Sequence, residues 1–489
     1  MNAPNAYQFI TTVPMSDNPD NSSSLANNMA HHNIVHNNVA HHVNIASYDA
    51  NHWLLPDGVH DVLFADADKQ QYLRHRLIKQ LQSHGYQLVS PPLIEFTESL
   101  LQEASEDLKR QTFKLIDQVT GRLMGVRADT TPQIRRIDAK FGQAYFAKAV
   151  ARYCYAGHVI HTLPNGLFGS RTPLQLGAEL FGCDTIEADF ELLDVLYALL
   201  SDLNLPVSWH LDLGHVGVFK RLSELANLDN TTSEHLMRCY ANKALPELEQ
   251  FCHCLAFGQD FYQLAIHGHD LHKLQAQFSA DVANDVVIQQ SLAELQRVYQ
   301  HLSQAKTICG DNVCDNLPNI SMDLTELSGY HYHTGLVFNL YVNNESQVVA
   351  RGGRFNGQMA TLAKPTIDTI KPLKPVEPPS QRLSTHYQQD RQQERQQQSR
   401  PAIGFSMDVT RLLPYFIDET ESLASHWIWV VYQDIQQLNA KQADQLADVI
   451  AKLRRQGHRV IKPLTAVDKP DNITHHLHHQ QGQWVLTKI

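Results

Sequence analysis

Residues 155–179 read YAGHVIHTLPNGLFGSRTPLQLGAE, and the fold turns on this stretch. Its two ends are apolar and continue outward into KAVARYC and LFG, which reads as two strands. Pro, Gly, Asn and Ser fill the middle, LPNGLFGSRTP, which reads as a loop between them.

Upstream, residues 68–84 place Tyr72, Leu73, Leu77 and Leu81 at helical spacing, with Gly85 as the stop. YQLVSPPLIEF follows as a strand entering a Pro-rich bend. TFKLIDQVTGRLMGVRA predicts a hairpin turning at Thr120-Gly121, and TPQIRRIDAKF a helix with Thr131 as N-cap and Pro132 in its first turn. Downstream, residues 185–310 read as helical, interrupted at Leu205-Pro206 and Gly258. LVFNLYV and QVVARGG then read as strands. Strands and helices mix without regular β-α alternation. The expected class is α+β: an antiparallel sheet with helices on one side.

The chain divides by composition. Residues 1–50 are an Asn- and His-rich arm without apolar periodicity and are expected to be disordered. The core is expected over 51–363, with order beginning at Trp53. Residues 364–400 are a Pro/Gln-rich flexible insertion, and 401–420 return to the core. Residues 421–489 carry WIWVVYQ, KQADQLADVIAKLRRQGH, RVIKPL and QWVLTKI, a strand, a helix stopped by Gly457, and two strands: a small α/β unit.

The 489 residues are 43% hydrophobic and 19% charged, with a formal net charge of -11, which disfavours non-specific binding to a phosphate backbone. No Lys or Arg precedes Lys69 and no apolar run spans a bilayer, so no membrane association and a cytoplasmic location are expected. Seven cysteines at irregular spacing point to reduced thiols. Cys252-His253-Cys254 lacks a second pair, so no metal site is expected, and no cofactor motif of the Walker or G-x-G-x-x-G kind is present. His31, His32, His36, His41 and His42 read as parts of a solvated tail.

Six segments in order resemble the histidyl-tRNA synthetases and their paralogues. The helix through His84 and GYQLVSPPLIE, with Pro92, resembles the class II first motif. Ala128-Asp129-Thr130-Thr131 is similar to the family's P-E-G-T segment, with Asp for Glu. The opening stretch resembles the second motif, Y-x-G-x-x-F-R-x-E, a loop, then R-x-F-x-Q-x-G-x-E. Ser328-Gly329-Tyr330-His331-Tyr332-His333 is similar to the histidine-specific R-G-L-D-Y-Y. Gly352-Gly353-Arg354-Phe355 and Gly404 to Leu412 resemble G-G-R-Y and the third motif. The match runs from about Trp53 to Leu412. It implies a class II aminoacyl-tRNA synthetase-like sheet, a self-dimer through the first motif, and a histidine pocket of Asp129, Thr131, Gln175, Glu179, Tyr330, Tyr332 and His333.

The departures point to function. Activation of an amino acid places charge on the ATP α-phosphate, which positioned cations must meet. The family's second-motif arginine and glutamate stand as His161 and Leu163, and the arginine opening the histidine-specific segment as Ser328. Arg354 and Arg411 remain, each a candidate for a structural ion pair. Within the resemblance, the pattern fits the regulatory subunits of ATP phosphoribosyltransferase. It implies no catalytic residue and no tRNA partner. It implies a short catalytic subunit as partner in a hetero-octamer, activated by this chain, with histidine as feedback effector in the first step of histidine biosynthesis. The alternative is a divergent histidyl-tRNA synthetase, and a synthetase-like module controlling another process is a third reading.

Overall fold

A computed structural model describes residues 54–102, 104–146, 150–164, 169–308, 317–327, 329–343, 347–357, 400–416, 426–436, 438–465 and 467–489. The expected arm over 1–50, Trp53, Ser328, Cys309, Cys314 and the insertion up to residue 399 lie outside them.

The first helix, α1 (Phe64–Ser83), buries Gln70, Leu73, Leu77 and Leu81. Tyr72 does not join that face and is 40% exposed, because the buried stripe falls at 70, 73, 77 and 81. Each fully buried leucine contributes about 1.5–3 kcal/mol. Then come β1 (Gln87–Leu88), β2 (Ile94–Phe96), α2 (Thr97–Leu100) and α3 (Glu106–Gln111). The hairpin β3 (Lys114–Ile116) and β4 (Leu123–Val126) forms as the sequence implies, and β2 completes a three-stranded sheet in the order β2-β4-β3. Helix α4 (Thr131–Ile137) has Thr130 at its N-cap position, one residue before the expected Thr131, and no side chain caps it. Pro132 does lie in its first turn, where a missing N–H costs nothing. A π-helical turn (Asp138–Gly142) leads into α5 (Gln143–Phe146).

The opening stretch forms β5 (Ala151–His158) and β6 (Leu174–Phe181), antiparallel neighbours with Tyr155 opposite Gly177. Next come α6 (Glu187–Leu203), β7 (Trp209–His215), α7 (Val216–Leu225), α8 (Asn230–Ala241) and α9 (Leu245–Cys252). They are followed by α10 (Gly258–His267), α11 (Leu271–Gln277), α12 (Ala280–Ala283) and α13 (Val286–Ile308). The presence of β7 corrects the helical reading of 185–310. Its seven residues carry no local signal strong enough to outweigh the helices around them, and pairing with a distant strand decides their state.

The sheet is completed by β8 (Asn319–Met322), β9 (His333–Val342), β10 (Ala350–Asn356) and β11 (Pro401–Asp408). Its eight strands run β1-β5-β6-β11-β10-β9-β7-β8. All pairs are antiparallel except the two at the edges, β1 with β5 and β7 with β8. Alternation along the strands sorts the faces. Cys154, Leu176, Ala178, Leu180, Ile403 and Phe405 pack with leucines of α1, α6 and α13 and with Phe219 of α7. Tyr153, Tyr155, Phe181, Phe355 and Ala402 point the other way and meet Ile134 of α4. Among the described residues, helices therefore cover one face broadly, and the second face is covered only in part, by α4 and by Phe146 of α5.

The C-terminal residues contain β12 (Trp427–Val430), α14 (Tyr432–Ile435), α15 (Ala440–Arg455), β13 (Arg459–Ile461), β14 (His475–Gln480) and β15 (Gln483–Lys488). The four strands run β13-β12-β14-β15, with the first three parallel. Ile428, Val430, Leu446, Ile450, Leu453, Val460 and Leu477 make a core of their own. The strand β14, HHLHHQ, escapes a hydrophobicity reading because Leu477 is its one aliphatic residue. A capping box at Asn439 and Gln442 starts α15.

Candidate functional site

The second face of the large sheet carries the site, because period-two alternation puts Gln175, Gly177 and Glu179 of β6 on the side of Tyr153 and Tyr155. Two glycines make the space. A Cβ at Gly177 would sit 2.4 Å from the Tyr155 ring carbon Cζ and 2.7 Å from the Phe405 carbonyl. A Cβ at Gly404, across the ladder from Glu179, would lie 2.7 Å from Glu179 Cγ. Both positions demand a residue without a side chain so that Tyr155 and Glu179 can lie across the strands.

Glu179 is 1% exposed, and neither carboxylate oxygen has a hydrogen-bond partner. Burial pushes its carboxyl well above the usual range. The hydroxyls of Thr131 and Tyr155 pull the other way without completing a well-directed bond, Asp129 adds to the rise, and Arg135 opposes it. The Tyr155 hydroxyl is likewise buried and unpartnered, and burial with the nearby Glu179 and Asp129 charges pushes it up. Tyr332 stacks on Phe355 at 4.9 Å, under the Arg135 guanidinium at 5.9 Å. Its shut-in hydroxyl also lacks a partner and is pushed up by burial and then by Glu179.

Gln175 sets the rim. Its Nε2 donates to Asp129 Oδ1 at 2.8 Å, and its Oε1 accepts from the Thr130 N–H at 3.0 Å. The Thr131 N–H donates to the same Asp129 oxygen at 3.4 Å. One amide thus ties β6 to the start of α4 and holds Asp129 in place.

The structure brings Asp129, Thr131, Gln175, Glu179 and Tyr332 together, and adds Tyr155 and Arg135, which the sequence reading passed over. The signal for Tyr155 was its register opposite Gly177. Tyr330 is a correction to the expected pocket. Its ring packs edge-on against Phe219 of α7 at 5.3 Å, with the helix-covered core, and takes no part in the Glu179 cluster. Its neighbours in sequence alternate, and the short turn over 329–332 directs Tyr330 and Tyr332 to different cores. His333 stands beside Tyr332 at 5.3 Å, and its Nδ1 donates to the Arg354 carbonyl at 3.1 Å. Burial pushes its imidazole down to about 4, so it stands neutral, with Nε2 as an acceptor.

His161, expected from the resemblance at the second-motif arginine position, is buried, and its Nε2 donates to the Ala128 carbonyl at 2.9 Å. Its remaining nitrogen, Nδ1, is buried and has no hydrogen-bond partner among the described residues. Leu163 is 66% exposed. Arg411 pairs with Asp408 at 3.4 Å and donates to Gln347. Arg354 pairs with Asp189 at 2.9 Å, both largely buried, and donates to the Cys183 carbonyl at 3.1 Å. These two arginines therefore do hold structural ion pairs. Among the described residues no helix is long and apolar enough to cross a membrane.

Comparison with known proteins places these features in a family. The histidyl-tRNA synthetase family profile matches residues 58–366. The chain is 52% identical to an ATP phosphoribosyltransferase regulatory subunit of Psychrobacter cryohalolentis over 89% of its length and 100% of that protein. It is 40% identical to the protein of the same description from Acinetobacter baylyi, over 89% of this chain and 98% of that one. A crystal structure of an ATP phosphoribosyltransferase regulatory subunit/histidyl-tRNA synthetase from Bacillus halodurans is similar in fold, with a TM-score of 0.62 at 18% identity, covering 86% of this chain and 95% of that one. Histidyl-tRNA synthetase from Nostoc has a TM-score of 0.59 at 14% identity, covering 89% and 97%.

Proposed function

The chain belongs to the family of ATP phosphoribosyltransferase regulatory subunits, and from that membership we propose that it binds histidine and carries no aminoacylation chemistry. The observation that carries the reading is the Glu179 cluster: the buried carboxylate of Glu179 and the shut-in hydroxyls of Tyr155 and Tyr332, none of which completes a well-directed hydrogen bond among the described residues. A buried unpartnered polar atom costs about 1–3 kcal/mol, so such a cluster is built to be completed by something else. Histidine supplies an ammonium and a ring N–H, both donors, to match the acceptors Glu179, Asp129 and Gln175. His333 offers an acceptor for a ring N–H, and Tyr332 and Phe355 an aromatic wall. The site is therefore Asp129, Thr131, Gln175, Glu179, Tyr155, Tyr332 and His333.

Nothing comparable is proposed for ATP. His161 is committed to a backbone carbonyl, Leu163 brings no charge, and Arg411 and Arg354 are paired within the chain. The regulatory reading follows: this chain, in the cytoplasm, assembles with a short phosphoribosyltransferase catalytic subunit as a hetero-octamer, activates it, and passes on feedback by histidine. Within that assembly the chain is organised as an arm over 1–50, a core over 51–363 and 401–420 interrupted by an insertion over 364–400, and a C-terminal unit over 421–489. A self-dimer through the first motif is supported by the apolar side chains exposed there: Leu88, Leu93 and Ile94, continued on the β3–β4 hairpin by Leu115, Ile116 and Leu123.

Co-purification with a short phosphoribosyltransferase, with transferase rates read with and without histidine, tests this directly. Stimulation by this chain and inhibition by histidine are expected. ATP–pyrophosphate exchange with histidine by the isolated chain would return the protein to the synthetases.

A further inference from the structure

Away from the sheet, α8 and α9 bring three metal-ligating side chains together. His235 and Cys239 stand four residues apart on α8 and so share one face. Glu247 comes from the first turn of α9. One ligand atom from each lies within 4.8 Å of the other two, with His235 Nε2 3.4 Å from Glu247 Oε1. Cys239 is 3% exposed and forms the floor, while the Glu247 side chain is 60% exposed and forms the mouth. The Phe251 ring lies 4.3 Å from the His235 ring and fixes its position.

We propose that His235, Cys239 and Glu247 form a binding site for a divalent transition ion, best matched by Zn2+, that clamps α8 to α9. One sulfur, one nitrogen and one oxygen donor make a borderline-soft set, which suits zinc and not the oxygen-seeking Ca2+ or Mg2+. Three protein ligands leave a fourth tetrahedral position for water. Donors around a zinc ion stand roughly 3.3–3.8 Å apart, so closure asks for a small shift of side chains and no movement of the helices.

The protons balance as follows. Arg238 donates to His235 Nδ1 at 3.0 Å, so the ring hydrogen sits on Nε2, facing Glu247. The ion takes Nε2, the ring hydrogen moves to Nδ1, and the exposed Arg238 turns to solvent. Cys239 gives its thiol proton to water. One ion enters and one proton leaves. The C-x-C spacing at Cys252 and Cys254 is not where the ligands converge: Cys254 is exposed, and of the two thiols buried in the main core, Cys239 and Cys252, Cys239 is the one that meets a histidine and a carboxylate.

The test is a cobalt titration of the full-length chain, free of any affinity tag, in the absence of chelator. The expected result is one Co2+ per chain with a thiolate-to-cobalt charge-transfer band in the near ultraviolet. No cysteine precedes Cys154, so histidines of the N-terminal arm contribute nothing to that band. His235→Ala, at a half-buried position, and Glu247→Gln, at the surface, should weaken binding roughly tenfold or more, and Cys239→Ser should abolish the band. Cys254→Ser should leave it unchanged. Zn2+ should raise Tm in the natural protein and not in His235→Ala. Absence of the band, or a band of unchanged affinity in both His235→Ala and Glu247→Gln, overturns the site.

Discussion

The two ends of the second sheet face use their polar groups in opposite ways. Around Glu179, buried oxygens are left without partners inside a tightly fitted wall. Around His161, most groups are spent on the protein itself: one imidazole nitrogen on a backbone carbonyl, with the other unpartnered, and Arg411 on Asp408 and Gln347. A pocket whose donors and acceptors are unspent is prepared for a ligand. One whose cations are already paired offers little to a developing phosphate charge. On the proposed reading, one scaffold keeps recognition and gives up activation, because the two depend on different residues a few strand positions apart.

The largest expected effect tests the His161 end. The isolated chain, given histidine and ATP, should show no pyrophosphate exchange beside a histidyl-tRNA synthetase assayed in parallel. Removing one donor to transition-state charge costs about two to three orders of magnitude, and more than one position is changed here. Exchange within tenfold of the synthetase would erase the contrast.

The next effect belongs to Glu179. Glu179→Ala should weaken histidine binding by about ten- to a hundredfold, the equivalent of roughly 1.5–3 kcal/mol for a lost hydrogen bond to a charged group. Calorimetry on the assembled complex reads this, and feedback inhibition should weaken with it while stimulation of the catalytic subunit persists. Equal inhibition in the variant and the natural protein would place the effector site elsewhere.

A smaller effect is thermodynamic and concerns pH. Burial raises the Glu179 pKa in the folded chain, so the folded state holds a proton that the unfolded state has lost. The stability associated with this group is full below the ordinary carboxyl pKa and is lost as pH rises through the raised one, by at most about 1.4 kcal/mol per pH unit. Glu179→Gln removes that slope. It should be more stable than the natural protein without ligand at neutral pH, yet bind histidine more weakly. Matching melting curves across pH for the two proteins would show that Glu179 is not the buried acid described.

The smallest expected change is at Tyr332. Tyr332→Phe keeps the stack on Phe355 and removes one neutral donor, about 0.5–1.5 kcal/mol or roughly two- to tenfold in histidine affinity. Tyr330→Phe, on the other core, should leave affinity unchanged, and a larger loss there than at Tyr332 would reverse the assignment of the two rings.

Much of the sheet was legible: β5, β6 and β9 stand out as apolar runs from Pro- and Gly-rich surroundings, the start of β10 was read as a strand, and β11 was read only as a return to core sequence. The hairpin at Thr120-Gly121 was legible from its turn. Several features were not, three of them for an instructive reason. The strand β7 sits among strong helical neighbours, β14 is built largely of histidine, and the N-cap of α4 lies one residue from its sequence signal. In each case the deciding contacts come from elsewhere in the chain, and local propensity carries no record of them.

Sequence alone supplied the residue types of the candidate site and their order, and, through the family resemblance, the expectation that His161 and Leu163 stand where the synthetases carry arginine and glutamate, since residue identity is a property of the chain and survives without coordinates. Only the tertiary structure decided which of those residues meet. Tyr155 faces Glu179 because Gly177 and Gly404 leave room across the ladder, Tyr330 leaves for another core, and His235, Cys239 and Glu247 converge from two helices. The physical reason is that burial and partnering are set by contacts between segments far apart in sequence, and a spacing pattern fixes only which face of its own element a side chain occupies.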